Sequence, residues 1–100
     1  MVEGGAKSFL GDCAIRHQLL QSKCESDEIV SLYYSGGVVP IFVKYIYAAA
    51  KDDSIIVVDG IDADGTRYVV TARVETMQLT MSVQKIEEAL VKEPIGFRAP

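Results

Sequence analysis

The side chains of this chain best suited to holding an anion are Lys44, Arg67 and Arg73, and they share its middle with Tyr33, Tyr34, Tyr45, Tyr47 and Tyr68. Tyrosine rings stack on planar groups and arginine forks grip phosphate or carboxylate, the combination found on single-strand-binding surfaces. Lys44, Tyr45, Arg67, Tyr68 and Arg73 are therefore the candidate ligand-binding residues. The ligand they suggest is an anionic small molecule or single-stranded nucleic acid. The plainer reading of the same residues is cross-strand packing with charged strand ends. From Ile29 to Met81 four basic side chains stand against six acidic ones, so the region is not strongly positive.

Two further groupings have the spacing of metal sites. Cys13 and His17 stand one helical turn apart, within reach of one metal ion or of a thiolate–imidazole pair. A zinc site normally takes three or four protein ligands, and the chain has no other histidine, so a small buried thiol on an apolar helix face is the simpler account. The acidic run from Asp59 to Gly65 has the wrong register for a calcium loop: with Asp62, Asp64 and Gly65 at positions three, five and six, position twelve falls on Thr71 instead of a glutamate. No P-loop, dinucleotide fingerprint or GxSxG elbow is present. Glu87-Glu88 and Asp52-Asp53 do not form a defined acid–base pair. The expectation is a protein that is not an enzyme, with no catalytic residues, no metal and no cofactor.

The elements that must position these residues follow from periodicity. Leu10, Cys13, His17, Leu20 and Cys24 recur at steps of three and four, predicting a helix over 6–24 with Ser8 as its cap. From Ile29 the pattern is that of strands, predicted at 29–35, 38–48, 54–61, 66–73 and 74–81. Gly36-Gly37 predicts a two-residue hairpin, as does Asp64-Gly65, and a bulge or tight turn is expected near Glu75-Thr76. In the second strand Val39, Ile41, Val43, Tyr45 and Tyr47 alternate with Val38, Phe42 and Ile46, so both faces read as apolar. Residues 40–51 also fit a helix beginning at Pro40, but their β-branched and aromatic content favours the strand. Ser82 to Pro94 predicts a closing helix over 82–93.

These elements predict a single α+β domain over 1–100. It would be a small, strongly bent antiparallel sheet, or an Sm/SH3-like barrel of about five strands, with an N-terminal and a C-terminal helix. One hundred residues suffice for a core without staples, and 49 % hydrophobic residues supply it. A net charge of −4 disfavours indiscriminate attraction to nucleic acid or anionic lipid. No signal-peptide pattern and no membrane-length apolar run occur, and Cys13 and Cys24 stand about 16 Å apart along one helix, out of disulfide reach. Free thiols suit a reducing compartment, so a cytoplasmic location is expected.

The order of elements, together with Ile29 to Tyr34, Pro40 and the segment Gly65-Thr66-Arg67-Tyr68-Val69-Val70-Thr71-Ala72-Arg73-Val74, resembles the WYL domain, an Sm-like fold of bacterial transcription regulators. Arg67 and Arg73 match the first and last arginines of that family's arginine-bearing strand, and Val74 its aliphatic position. Val70 and Ala72 stand where the family has a further arginine and an acid, and Ile56-Val57-Val58 replaces the naming tripeptide. The resemblance implies a role in sensing nucleic acids or nucleotide-like ligands. The leading expectation is a non-enzymatic binding or regulatory module. Its alternative is a structural homo-oligomer associating through the apolar face of the strand at 38–47, and a third is a Cys13/His17 metal or redox protein.

Overall fold

A computed structural model describes residues 5–37, 39–85 and 95–97. One helix, α1 (Ala6–Ser22), precedes five strands: β1 (Glu28–Tyr34), β2 (Ile41–Ala49), β3 (Asp52–Ile61), β4 (Arg67–Arg73) and β5 (Leu79–Lys85). All neighbours in the sheet are antiparallel, in the order β4-β3-β2-β1-β5. The expected α+β class, with an N-terminal helix and a five-stranded antiparallel sheet, is what the chain forms, but β4 and β5 are the two edges and do not pair with each other among the described residues, so the expected closed barrel is not seen.

α1 buries Ala6, Leu10 and Cys13. Leu10 and Cys13 lie on the predicted stripe, but Leu20 of the same stripe is exposed, and the helix ends at Ser22 and leaves Cys24 beyond it. Ser8 is not the cap. Gly5 holds that position without a side chain to offer, and the free N–H of Lys7 donates instead to Asp53 Oδ1 at 3.0 Å. A carboxylate from the start of β3 thus sits at the positive end of the helix and ties it to the sheet.

Alternation along the strands turns Val30, Leu32 and Tyr34 of β1, Ile41, Val43 and Ile46 of β2, and Ile56 and Val58 of β3 inward. With Ala6 and Leu10, most of these form one buried cluster, against which Phe9, Val70, Ala72, Met77, Leu79, Met81, Ile95 and Phe97 pack. The expected faces of β2 need correction. A register shift between Val43 and Tyr45 makes Lys44 an extra residue, so Ile46 joins Ile41 and Val43 inside, while Tyr45 and Tyr47 join Phe42 outside. Strict alternation carried across a bulge assigns every later side chain to the wrong face.

β1 meets β2 only at Tyr33↔Phe42 and Tyr34↔Ile41, and pairs with β5 along its whole length. The edge of β2 that β1 leaves is taken by the C-terminal segment: Gly96 N donates to Lys44 O, and Ile46 N donates to Gly96 O, both at 2.8 Å. Gly96 is needed there, since a Cβ would stand 2.4 Å from Cδ1 of Tyr45. β2 is therefore an interior strand.

Both hairpins differ from expectation. Tyr34↔Ile41 closes a six-residue loop, 35–40, in which Val38 lies outside the described residues, and neither Gly36 nor Gly37 has a positive φ. Gly36 instead makes room for the Tyr34 ring, whose hydroxyl would lie 2.7 Å from a Cβ. Between β3 and β4 the loop is 62–66: Asp62 Oδ1 accepts from the N–H groups of Asp64 and Thr66 at 2.9 Å each, and Gly65 takes φ 84°. This is a turn built by an aspartate and closed by a left-handed glycine, not a two-residue hairpin.

The expected fifth strand at 74–81 is replaced by a 3₁₀ turn, Val74–Thr76, and by β5, which starts at Leu79. Ser82 to Lys85 continue β5 instead of opening the expected helix, because Ser31 and its neighbours on β1 offer them a ladder. The remainder of that expected helix, 86–93, lies outside the described residues. No helix among the described residues is long and apolar enough to cross a membrane.

Candidate functional site

The outer face of the sheet carries the residues with chemistry. Register places Tyr45 of β2, Asp59 of β3 and Val69 of β4 side by side, with Tyr47, Val57 and Thr71 as the next row and Ile61 and Arg67 as the row before. Asp59 is the one buried charged residue among the described residues, at 4 % exposure. A lone carboxylate so placed would be costly, and the cost is offset by pairing.

The partner is Arg67, one step along β4 on the diagonal. Its Nε donates to Asp59 Oδ1 at 3.0 Å and its Nη2 to Oδ2 at 2.6 Å. Side-on pairing of this kind fixes the guanidinium plane as well as its distance. The hydrogen bonds from Arg67 hold the Asp59 carboxyl below the ordinary aspartate range, against the opposing effect of burial, with Arg67 and Lys44 adding favourable charge. Arg67 is correspondingly shifted further up, first by the same hydrogen bonds and then by the Asp59 charge.

Pairing does not hide the arginine. Its side chain is 69 % exposed, whereas that of Asp59 is 5 % exposed. Of the five guanidinium N–H groups two are engaged, which leaves three directed away from Asp59. Lys44, pushed out by the bulge, is exposed beside them, and Tyr45 is half-buried next to Asp59. The arrangement is a fixed donor fork, a second exposed cation and an aromatic ring on one surface.

The other two expected site residues are not part of it. Arg73 is on the same face at the far end of β4, about 20 Å from Arg67 at the usual rise per strand residue, and it pairs with Glu75 at 3.3 Å. Tyr68 points to the opposite face, opposite Gly60 and in line with Val70 and Ala72. The five candidates thus separate into Lys44, Tyr45 and Arg67 together, Arg73 apart and Tyr68 on the other side. Asp59 was the residue missed. An acid inside the apolar run Ile55 to Ile61, with an arginine just across the next turn, is the signal that would have found it.

Cys13 and His17 do not face a common opening. Cys13 is 8 % exposed and burial pushes its thiol up, while His17 Nε2 lies 3.3 Å from the Val30 carbonyl oxygen and its ring meets Phe97 edge-on at 5.9 Å. No group of three or more metal-ligating side chains with the geometry to hold an ion occurs among the described residues. No family model, curated protein or solved structure matches the chain.

Proposed function

We propose that this chain is a non-enzymatic binding module that takes a small phosphate- or carboxylate-bearing ligand on the outer face of β2 to β4, gripped by Arg67 and Lys44 beside the ring of Tyr45. The observation that carries the reading is the side-on pairing of Arg67 with a buried carboxylate while its remaining donors face solvent. A guanidinium held in place before the ligand arrives loses less rotamer freedom on binding than a free surface arginine.

The order of elements supports the same reading. A helix, then five antiparallel strands in the order β4-β3-β2-β1-β5 with a 3₁₀ turn before the last, has the strand order of an Sm-type fold with its sheet left open between β4 and β5. On the resemblance to WYL domains, β4 would be the arginine-bearing strand. Titration with inorganic pyrophosphate, followed by amide NMR shifts, should move Lys44, Tyr45 and Arg67 and spare Arg73. Shifts centred elsewhere, or none, would refute the assignment.

A further inference from the structure

α1 covers only part of the sheet. It packs on β1, β2 and β3 and does not close on β5, the edge strand that pairs with β1 along its whole length. Three ties fix it there: the Lys7 N–H donates to Asp53, the Val30 N–H donates to Gln21 Oε1 at 3.2 Å, and His17 Nε2 lies 3.3 Å from the Val30 carbonyl oxygen. The helix cannot tilt across to β5 without losing them. A cleft of about 590 Å³ is thereby held open between the two elements, a size at which small molecules are commonly bound.

Its walls are apolar and its mouth carries one charge. Phe9 and Cys13 line it from α1, and Met77, Leu79 and Met81 from the far side; the four larger side chains are only half-buried although they pack against the core. Apolar surface left facing water in this way is what a hydrocarbon chain would cover, and two methionines adapt to a flexible one. Arg16, one turn beyond Cys13, is the only charged residue of the lining, and the rest of the rim is neutral and polar. Among the described residues it makes no salt bridge. Burial raises the Cys13 thiol and the Arg16 charge opposes it, which puts the guanidinium near the wall of the cleft; Asp12, which acts on the thiol in the other sense, lies outside the lining.

We propose that this cleft binds a single-chain aliphatic carboxylate, its chain laid between α1 and β5 and its head group on Arg16. One guanidinium fork matches a carboxylate in geometry and in charge, whereas a phosphate monoester would bring up to about two negative charges to a single cation. The cleft lies on the helix side of the sheet, away from Lys44 and Arg67 on the outer face. It stands whether or not that outer face takes an anion.

Calorimetric titration of the full chain with decanoate, kept below its micelle concentration, tests this, with decanol and acetate as the probes that lack the charge or the chain. Decanoate should bind, decanol more weakly and acetate not at all, and Arg16→Gln should weaken decanoate roughly 10-fold, to the level of decanol. Arg16 is exposed, so this variant keeps the fold. Bound decanoate should also slow alkylation of Cys13 several-fold and leave Cys24 unaffected, since only Cys13 lines the cleft. No binding of decanoate, binding indifferent to Arg16→Gln, or an unprotected Cys13 would each overturn the proposal. So would loss of decanoate binding in Lys44→Gln, which would place the anion on the outer face.

Discussion

Arg67 and Asp59 form a side-on ion pair in which the acid is 5 % exposed and the base 69 %. The asymmetry has a direct consequence. Among the described residues Asp59 accepts its side-chain hydrogen bonds from Arg67, whereas Arg67 retains donors for something else. Replacing Arg67 should therefore lower stability as well as binding, because it strands a buried carboxylate. Thermal melts of Arg67→Ala and Arg73→Ala compare the two directly: a clear drop for the first and almost none for the second is expected, since Arg73 and Glu75 are both largely exposed.

Acid should weaken the fold through the same pair. The Asp59 carboxyl lies below its ordinary value in the folded chain, held there chiefly by hydrogen bonds from Arg67. A depressed carboxyl contributes stability above the unfolded value, near 3.9, and that stability is lost as pH falls through the folded value. Melting temperatures should thus show a gap between the native chain and Asp59→Asn at neutral pH that narrows below about pH 4. A gap of constant size down to pH 2 would show that Asp59 acts by shape, not charge.

At Gly60 the backbone of β2 lies close against β3. A Cβ there would lie 2.0 Å from the Phe42 carbonyl oxygen and 2.8 Å from Ile41 Cγ2. Backbone cannot yield as a side-chain tip can, so Gly60→Ala should cost about 3 kcal/mol, read from chemical denaturation. Gly11→Ala, with open space around it, serves as the control and should be neutral or slightly stabilising.

The two thiols should react at different rates. Cys13 is buried and its thiol is pushed up by that burial, while Cys24 lies beyond the helix end and is only half-buried. The thiolate is the nucleophile, so iodoacetamide on the native chain should label Cys24 well before Cys13. Equal rates under native conditions would mean that α1 opens more easily than its packing implies.

The sequence carried the strands more clearly than their faces. Ile29 to Tyr34, Ile55 to Val58 and Tyr68 to Ala72 are rich in β-branched or aromatic residues, and all lie in strands as expected. Pattern alone could not show the bulge at Lys44, because one extra residue leaves composition unchanged while exchanging the faces that follow. Nor could it show that Asp53 caps α1 across 46 residues of chain, or that Gly96 lies along β2, since both depend on distant segments meeting. Ser82 to Lys85 read as a helix start because a serine before apolar residues looks like a cap. Pairing with β1 decided otherwise.

For the candidate site the arginines were legible by type, but not their inequality. Arg67 and Arg73 are equivalent in sequence, at the two ends of one strand. What separates them is the carboxylate each meets: a buried acid within the sheet for one, a solvated acid on the next turn for the other. Tyr68 and Arg67 are adjacent in sequence, yet neighbours in a strand face opposite ways.

Isothermal titration of the full chain with inorganic pyrophosphate, and separately with a short single-stranded oligonucleotide, bears most directly on the central claim. The account predicts binding of pyrophosphate that Arg67→Lys and Lys44→Gln each weaken at least several-fold and Arg73→Gln leaves unchanged. Arg67→Lys keeps the charge but loses the fork, so its failure would mark the fixed guanidinium as the recognising group. No binding by the native chain, or equal loss in Arg67→Lys and Arg73→Gln, would contradict the account.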